Sequence, residues 1–122
     1  MTTSAKEQAT ALAHISSLKM AQKGVLIALN AQAHAARQTG DDARARSLTQ
    51  MTIKLSQKNL VIHRAKQQVL RAHNISLINS KLSGIAAQSD QILKELNGVV
   101  DALTKAAQLI DLLRRAIVVL TL

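Results

Sequence analysis

Residues 75–120 read ISLINSKLSGIAAQSDQILKELNGVVDALTKAAQLIDLLRRAIVVL. Apolar residues recur here at alternating steps of three and four residues, which are the a and d positions of a heptad repeat. A heptad pattern sustained over this length predicts a helix whose apolar seam packs on other helices with left-handed supercoiling. We call this set of positions the heptad seam; its members are Ile75, Ile78, Leu82, Ile85, Ser89, Ile92, Leu96, Val99, Leu103, Ala106, Ile110, Leu113, Ile117 and Leu120.

Two further helical segments precede the seam. The first carries one apolar stripe from Ala11 to Ala36, with Gln22 at the step where an apolar residue is missing. The segment Thr39-Gly40-Asp41-Asp42 then predicts a turn, because Gly40 suits a left-handed helix end and either Asp caps a following helix. The middle segment places Leu48, Met51, Leu55, Ile62 and Val69 on one face, and Ile53 and Leu60 on nearly the opposite face.

The composition supports a wholly helical chain. It contains no Pro and no Phe, Trp or Tyr, so nothing strongly interrupts a helix and the core must consist of thin aliphatic layers. We therefore predict an all-α fold in one domain, residues 1–122, with helices of about 4–38, 42–73 and 76–121. The break between the last two is expected near residues 74–80, which gives a three-helix bundle. The alternative is a long-helix antiparallel hairpin, in which the second arm continues unbroken. In both cases the final helix, which carries the C-terminal heptad coiled coil, is expected to outrun its partners within the chain or to expose its apolar seam, unless another chain covers it.

No arrangement of residues indicates catalysis. The absence of Cys excludes thiolate metal sites and cysteine nucleophiles. The four histidines, 14, 34, 63 and 73, are not spaced as metal-ligand pairs on a helix, and the four glycines match no phosphate-binding loop. We expect no enzyme activity, no metal and no cofactor.

Charge is concentrated in the middle segment. The chain has 16 Lys and Arg against 7 Asp and Glu, a net charge of +9, and no acidic residue lies between Ala43 and Ser89. Such a surface attracts acidic proteins, anionic lipids or nucleic-acid phosphates. We define the basic patch as Arg46, Lys54, Lys58, Arg64, Lys66 and Arg71.

Three functions are compatible with these patterns. The first is a helical interaction protein that self-associates, or binds a helical or acidic partner, through the seam residues Ile85, Ile92, Leu96, Val99, Leu103, Ile110, Leu113, Ile117 and Leu120. The second is a membrane-active amphipathic protein, because residues 109–122 form a broad apolar face beside Arg114 and Arg115. The third is a non-specific nucleic-acid binder that uses the basic patch.

The chain shows no signal peptide and no apolar window long enough to span a bilayer. We therefore expect it in the cytoplasm, or exported by a route that needs no signal peptide.

Overall fold

A computed structural model describes residues 2–96 and 101–121, with side chains described from residue 5 onward. This part of the chain forms five helices and no strands: α1 (Thr2–Gln38), α2 (Asp42–Ser56), α3 (Asn59–Arg71), α4 (Ile75–Glu95) and α5 (Ala102–Leu120). The all-α prediction is confirmed. The helices form a bundle with four arms, in which α2 and α3 together make the second arm.

The stripe predicted on α1 is the centre of the core. The helix is about 55 Å long at 1.5 Å per residue, and it contacts all four other helices. Its buried positions include Ile15, Leu18, Val25 and Leu29, each fully enclosed. Since every arm packs on this stripe, the bundle has one continuous aliphatic core.

Side-chain contacts establish the direction of each arm. The second arm runs antiparallel to α1, since Arg37 Nη2 donates to Thr49 Oγ1 at 2.9 Å near the turn and Leu55 lies beside Gln22 further along. The next arm, α4, runs parallel to α1. At its start Ser76 Oγ donates to Glu7 Oε1 at 2.6 Å.

The start of α5 is held by three polar contacts. Asp101 caps the helix by accepting a hydrogen bond from Leu103 N at 3.0 Å, and Ala102 N donates to Gln32 Oε1 at 3.1 Å. Arg44 Nη2 lies 3.6 Å from Asp101 Oδ1. These contacts place the start of α5 near the turn between α1 and α2, so that α5 runs back antiparallel to α1.

The helix predicted over residues 42–73 is interrupted by a turn at residues 57–58, which we call the bend and which separates α2 from α3. Gln22 is buried, and its Nε2 donates to the Leu55 carbonyl at 2.9 Å. Lys58 N donates to the same carbonyl at 3.0 Å, which is the tighter bond of a 3₁₀ turn. A side chain that enters the backbone ladder is a recognised cause of helix bending. The polar interruption of the α1 stripe therefore accounts for the bend in the arm opposite.

The helix predicted over residues 76–121 is also two helices, so the prediction of one unbroken helix is wrong, and the C-terminal coiled coil is not confirmed. The break between α3 and α4 lies at residues 72–74, slightly earlier than the predicted 74–80. Because this break exists, the alternative of a hairpin with an unbroken second arm is wrong. The second break separates the end of α4 at Glu95 from the start of α5 at Ala102. The sequence contains a signal for it: Asn97-Gly98 is a turn-forming pair, and Asp101 is a good helix cap.

The heptad seam packs within its own chain in the described residues. On α4 every seam position from Ile75 to Ile92 is buried. On α5 only Ala106, Leu113 and Leu120 are buried, whereas Leu103, Ile110 and Ile117 are half-buried. The buried stripe of α5 is Ala102, Ala106, Leu109, Leu112, Leu113, Ala116 and Leu120. The last helix does not outrun its intramolecular partners, because α5 folds back onto the bundle after the second break. Three of its seam positions, Leu103, Ile110 and Ile117, nevertheless stay partly exposed, as the alternative expectation had it.

Two glycines provide a test of the turn. Gly40 has φ +80° with no heavy atom close to an added Cβ, whereas Gly84 lies in the interior of α4, also with open space around it. We expect Gly40→Ala to lower the free energy of unfolding by about 1–2 kcal/mol, because alanine is strained in the left-handed region. Gly84→Ala, the matched control, should raise it by about 0.5–1 kcal/mol through helix propensity. Urea unfolding followed by circular dichroism measures both, and equal effects would refute the strained turn.

The buried amide of Gln22 provides a test of the bend. Gln22→Ala removes its hydrogen bond and its packing, so we expect a loss of about 1–3 kcal/mol in the free energy of unfolding. Gln50→Ala, an exposed glutamine on α2, is the control and should stay within about 0.5 kcal/mol of wild type. Equal urea midpoints for the two variants would contradict a structural role for Gln22.

Candidate functional site

The basic patch extends along the second arm but occupies three of its sides. Lys54 and Lys58 point toward α5, and Lys66 points toward α1. Arg46 and Arg64 are exposed, and Arg71, also exposed, lines a separate groove near the start of α4 and the end of α5. Among the described residues none of these six forms an ion pair, so their charges are not compensated locally.

A groove of about 400 Å³ lies between α5 and the bend of the second arm. We call it the α5 groove. It combines apolar side chains from α3 and α5 with three basic residues. Its lining consists of Lys54, Lys58, Val61, Ile110, Leu113, Arg114 and Ile117.

The residues of the α5 groove have the burial expected of a binding surface. Leu113 is buried and forms part of the core, whereas Val61, Ile110 and Ile117 are half-buried and present apolar surface to the groove. Lys54 and Arg114 are exposed. The arrangement is an apolar floor between cationic groups.

Asp111 is the acidic residue closest in sequence to the α5 residues of the groove, but it pairs mainly with Arg115, which does not line the groove. Asp111 lies one turn before Arg114 on α5, but its Oδ2 is 2.9 Å from Arg115 Nη2. The Arg114 Nη2 is 4.0 Å from Asp111 Oδ1, and its side chain is 74% exposed. Arg114 therefore remains accessible to an anionic partner, and no carboxylate lines the described groove.

On the opposite flank of α5 another groove has its basic residues paired with acidic ones. There Glu95 and Lys105 form an ion pair across the α4–α5 junction, and Asp111 and Arg115 form a second. Hydrogen bonds from Lys105 and, second, from Gln91 lower the pKa of Glu95 below its ordinary value of 4.5. This surface carries equal numbers of opposite charges, whereas the α5 groove carries only positive ones.

The sequence patterns identified most of the groove residues but did not bring them together. Ile110, Leu113 and Ile117 belong to the predicted seam, and Lys54 and Lys58 belong to the basic patch. Val61 was missed, although Lys54, Lys58 and Val61 stand four and three residues apart and so share one face of the predicted helix over residues 42–73. The other predicted seam residues lie elsewhere: Ile85, Ile92 and Leu120 are buried in the core, Leu96 and Leu103 are half-buried outside the groove, and Val99 lies outside the described residues.

The described residues show neither a metal site nor a membrane span. No three His, Asp or Glu side chains among them come close enough together to hold a metal ion. None of the described helices combines the length and apolarity needed to cross a bilayer. Comparison of the chain with models of protein families, with characterised proteins and with solved structures gives no match. The grooves and charges of the surface are therefore the basis for a functional proposal.

The Glu95–Lys105 ion pair predicts a pH dependence of stability. Because folding lowers the pKa of Glu95, its ionised form stabilises the fold at neutral pH, and this contribution is lost as the pH falls through the lowered value. We expect the urea midpoint of wild type to fall more steeply below about pH 5 than that of Glu95→Gln. Asp90→Asn, which removes an exposed carboxylate of α4, should follow the wild-type profile. Parallel profiles for Glu95→Gln and wild type would exclude this linkage.

Proposed function

We propose that the protein is a non-enzymatic interaction module that binds an acidic, amphipathic helix of a partner protein in the α5 groove. The observation that carries the proposal is the meeting of half-buried Ile110 and Ile117 with three basic residues in one concavity. Lys54 and Lys58 form no ion pair among the described residues, and Arg114 is 74% exposed with only a 4.0 Å contact to Asp111. The interaction is thereby assigned to a groove beside the second arm rather than to the buried seam.

The chemistry of the groove suits an amphipathic helix. Apolar side chains spaced three and four residues apart on a partner helix can pack against Val61, Ile110 and Ile117, which removes apolar surface from water. Carboxylates that flank this stripe can pair with the two lysines and with Arg114. The apolar contacts supply affinity, and the charges supply orientation and a fast encounter.

Charge favours an acidic partner over a second copy of this chain. A copy brings the same net charge of +9, so two cationic surfaces would repel each other at the groove. Burial of the α4 seam positions within the chain also leaves less of the predicted seam for self-association, mainly the half-buried Leu103, Ile110 and Ile117 of α5.

The groove also argues against nucleic acid as the main ligand. Phosphates interact with cations and gain nothing from an aliphatic floor, and the chain has no aromatic ring on which bases can stack. An apolar floor between cationic groups fits an amphipathic peptide better than a phosphate backbone.

A displayed library of random 15-residue peptides tests the proposal even though the partner is unidentified. We expect the selected peptides to combine Asp or Glu with Leu or Ile at helical spacing. Their binding should perturb the backbone amide NMR signals of α5 and of the bend. Lys54→Glu/Lys58→Glu should weaken binding at least about tenfold, whereas Lys81→Glu/Lys94→Glu, the same charge change on exposed residues of α4, should have a much smaller effect.

A second pair of variants tests the apolar floor. Ile117→Ser alters a residue of the groove, and Val118→Ser alters its exposed neighbour on the same helix. Only Ile117→Ser should weaken the selected peptides, with circular dichroism used to verify that both variants remain folded. Peptides that bind equally well to all four variants, or that perturb amides away from the groove, would overturn the proposal.

A further inference from the structure

A second groove, of about 310 Å³, lies on the other flank of the second arm, between α1 and α3. Lys19 and Lys23 of α1 and His63 and Lys66 of α3 line it, and Leu26 and Ile62 contribute apolar surface. We call it the lysine groove. It shares no lining residue with the α5 groove, so a ligand bound here is independent of the proposed function.

The charges of the lysine groove are uncompensated. Lys19 and Lys23 stand one turn apart on the same helix face, so their like charges repel each other. Lys66 adds a third ammonium group from the opposite wall. In the described residues no carboxylate lines this groove and none of its lysines forms an ion pair. An anion that bridges α1 and α3 would relieve the repulsion.

Four exposed apolar side chains stand three or four residues from lining residues of the groove on the same two helices, and we call them the apolar border. Met20 and Ile27 lie three and four residues from Lys23 on α1, and both are more than half exposed. Leu70 lies four residues from Lys66 on α3, and Leu60 lies three residues from His63. These four are the majority of the seven large apolar side chains exposed in the described part of the chain; the others are Ile53, Leu77 and Val118.

We propose that the lysine groove and its border form a peripheral membrane-binding surface, in which Lys19, Lys23 and Lys66 bind lipid phosphates while Met20, Ile27, Leu60 and Leu70 enter the interface. Three ammonium groups around one concavity match the dense charge and several oxygens of a phosphate group. A soluble anion would use the lysines but would leave the apolar border in water. A lipid surface engages both features, which is the combination that interfacial helices use.

Cosedimentation with vesicles tests the charged part of the surface. Wild-type protein should bind phosphatidylcholine vesicles that contain a phosphoinositide or phosphatidylserine, and bind vesicles of phosphatidylcholine alone far more weakly. Lys23→Gln/Lys66→Gln should weaken binding at least about tenfold, at roughly 1 kcal/mol for each lysine. The control Lys81→Gln/Lys94→Gln removes the same charge from α4 and should retain most of the binding. Lys19→Gln provides a second variant if the double variant unfolds.

A matched pair of double variants tests the apolar border. Ile27→Ser/Leu70→Ser should weaken vesicle binding, whereas Leu77→Ser/Val118→Ser, which removes exposed apolar side chains from α4 and α5, should not. Equal losses in the groove and control variants would overturn the proposal, because binding would then depend on net charge alone. Saturable binding of inorganic pyrophosphate without binding to anionic vesicles would overturn the assignment to lipid.

Discussion

The buried stripe of α1 is the contact on which the rest of the bundle depends. All four other helices pack on it, and its members apart from Gln22 are aliphatic, alanine included, because the chain contains no aromatic ring to fill a wider core. Small side chains such as Ala21 and Ala33 let neighbouring helices approach closely. Gly24 has the same effect toward α4, because a Cβ at that position would lie only 2.5 Å from Leu93 Cδ1. The thin layers of this core favour long helices side by side over a rounder fold.

One polar residue in that stripe shapes the functional surface. Gln22 holds the Leu55 carbonyl where the second arm bends, and the α5 groove spans this bend, with Lys54 before it and Val61 after it. A buried side-chain amide is tolerated only when its hydrogen bonds are satisfied, so the bend and the amide stabilise each other. A leucine at position 22 would extend the stripe but would leave the bend without its hydrogen-bond donor.

The distribution of acids decides which surfaces are available for anionic ligands. Glu95, Asp101 and Asp111 each pair with a base at the ends or the outer flank of α5, which neutralises that side of the bundle. The second arm has acids only at its start, at Asp41 and Asp42. Apart from Arg44, which pairs with Asp101, its bases therefore form no ion pair among the described residues. One cationic arm thus borders two grooves, one with an apolar floor and one with an apolar border.

The all-α class, the length of α1, the turn at Gly40 and the Asp caps were all predictable from the sequence, because they depend on local spacing, propensity and backbone conformation. The Asn97-Gly98 pair also indicated a second break, but the heptad pattern runs through it in phase, so periodicity alone suggested one long helix. The bend at residues 57–58 was not predictable in this way, because it involves a contact between Gln22 and Leu55, which are distant in the chain. The grooves were not predictable either, because each is lined by side chains from separate arms. Spacing along one helix specifies which residues share a face, whereas only the packing of the helices decides which faces meet and which remain open.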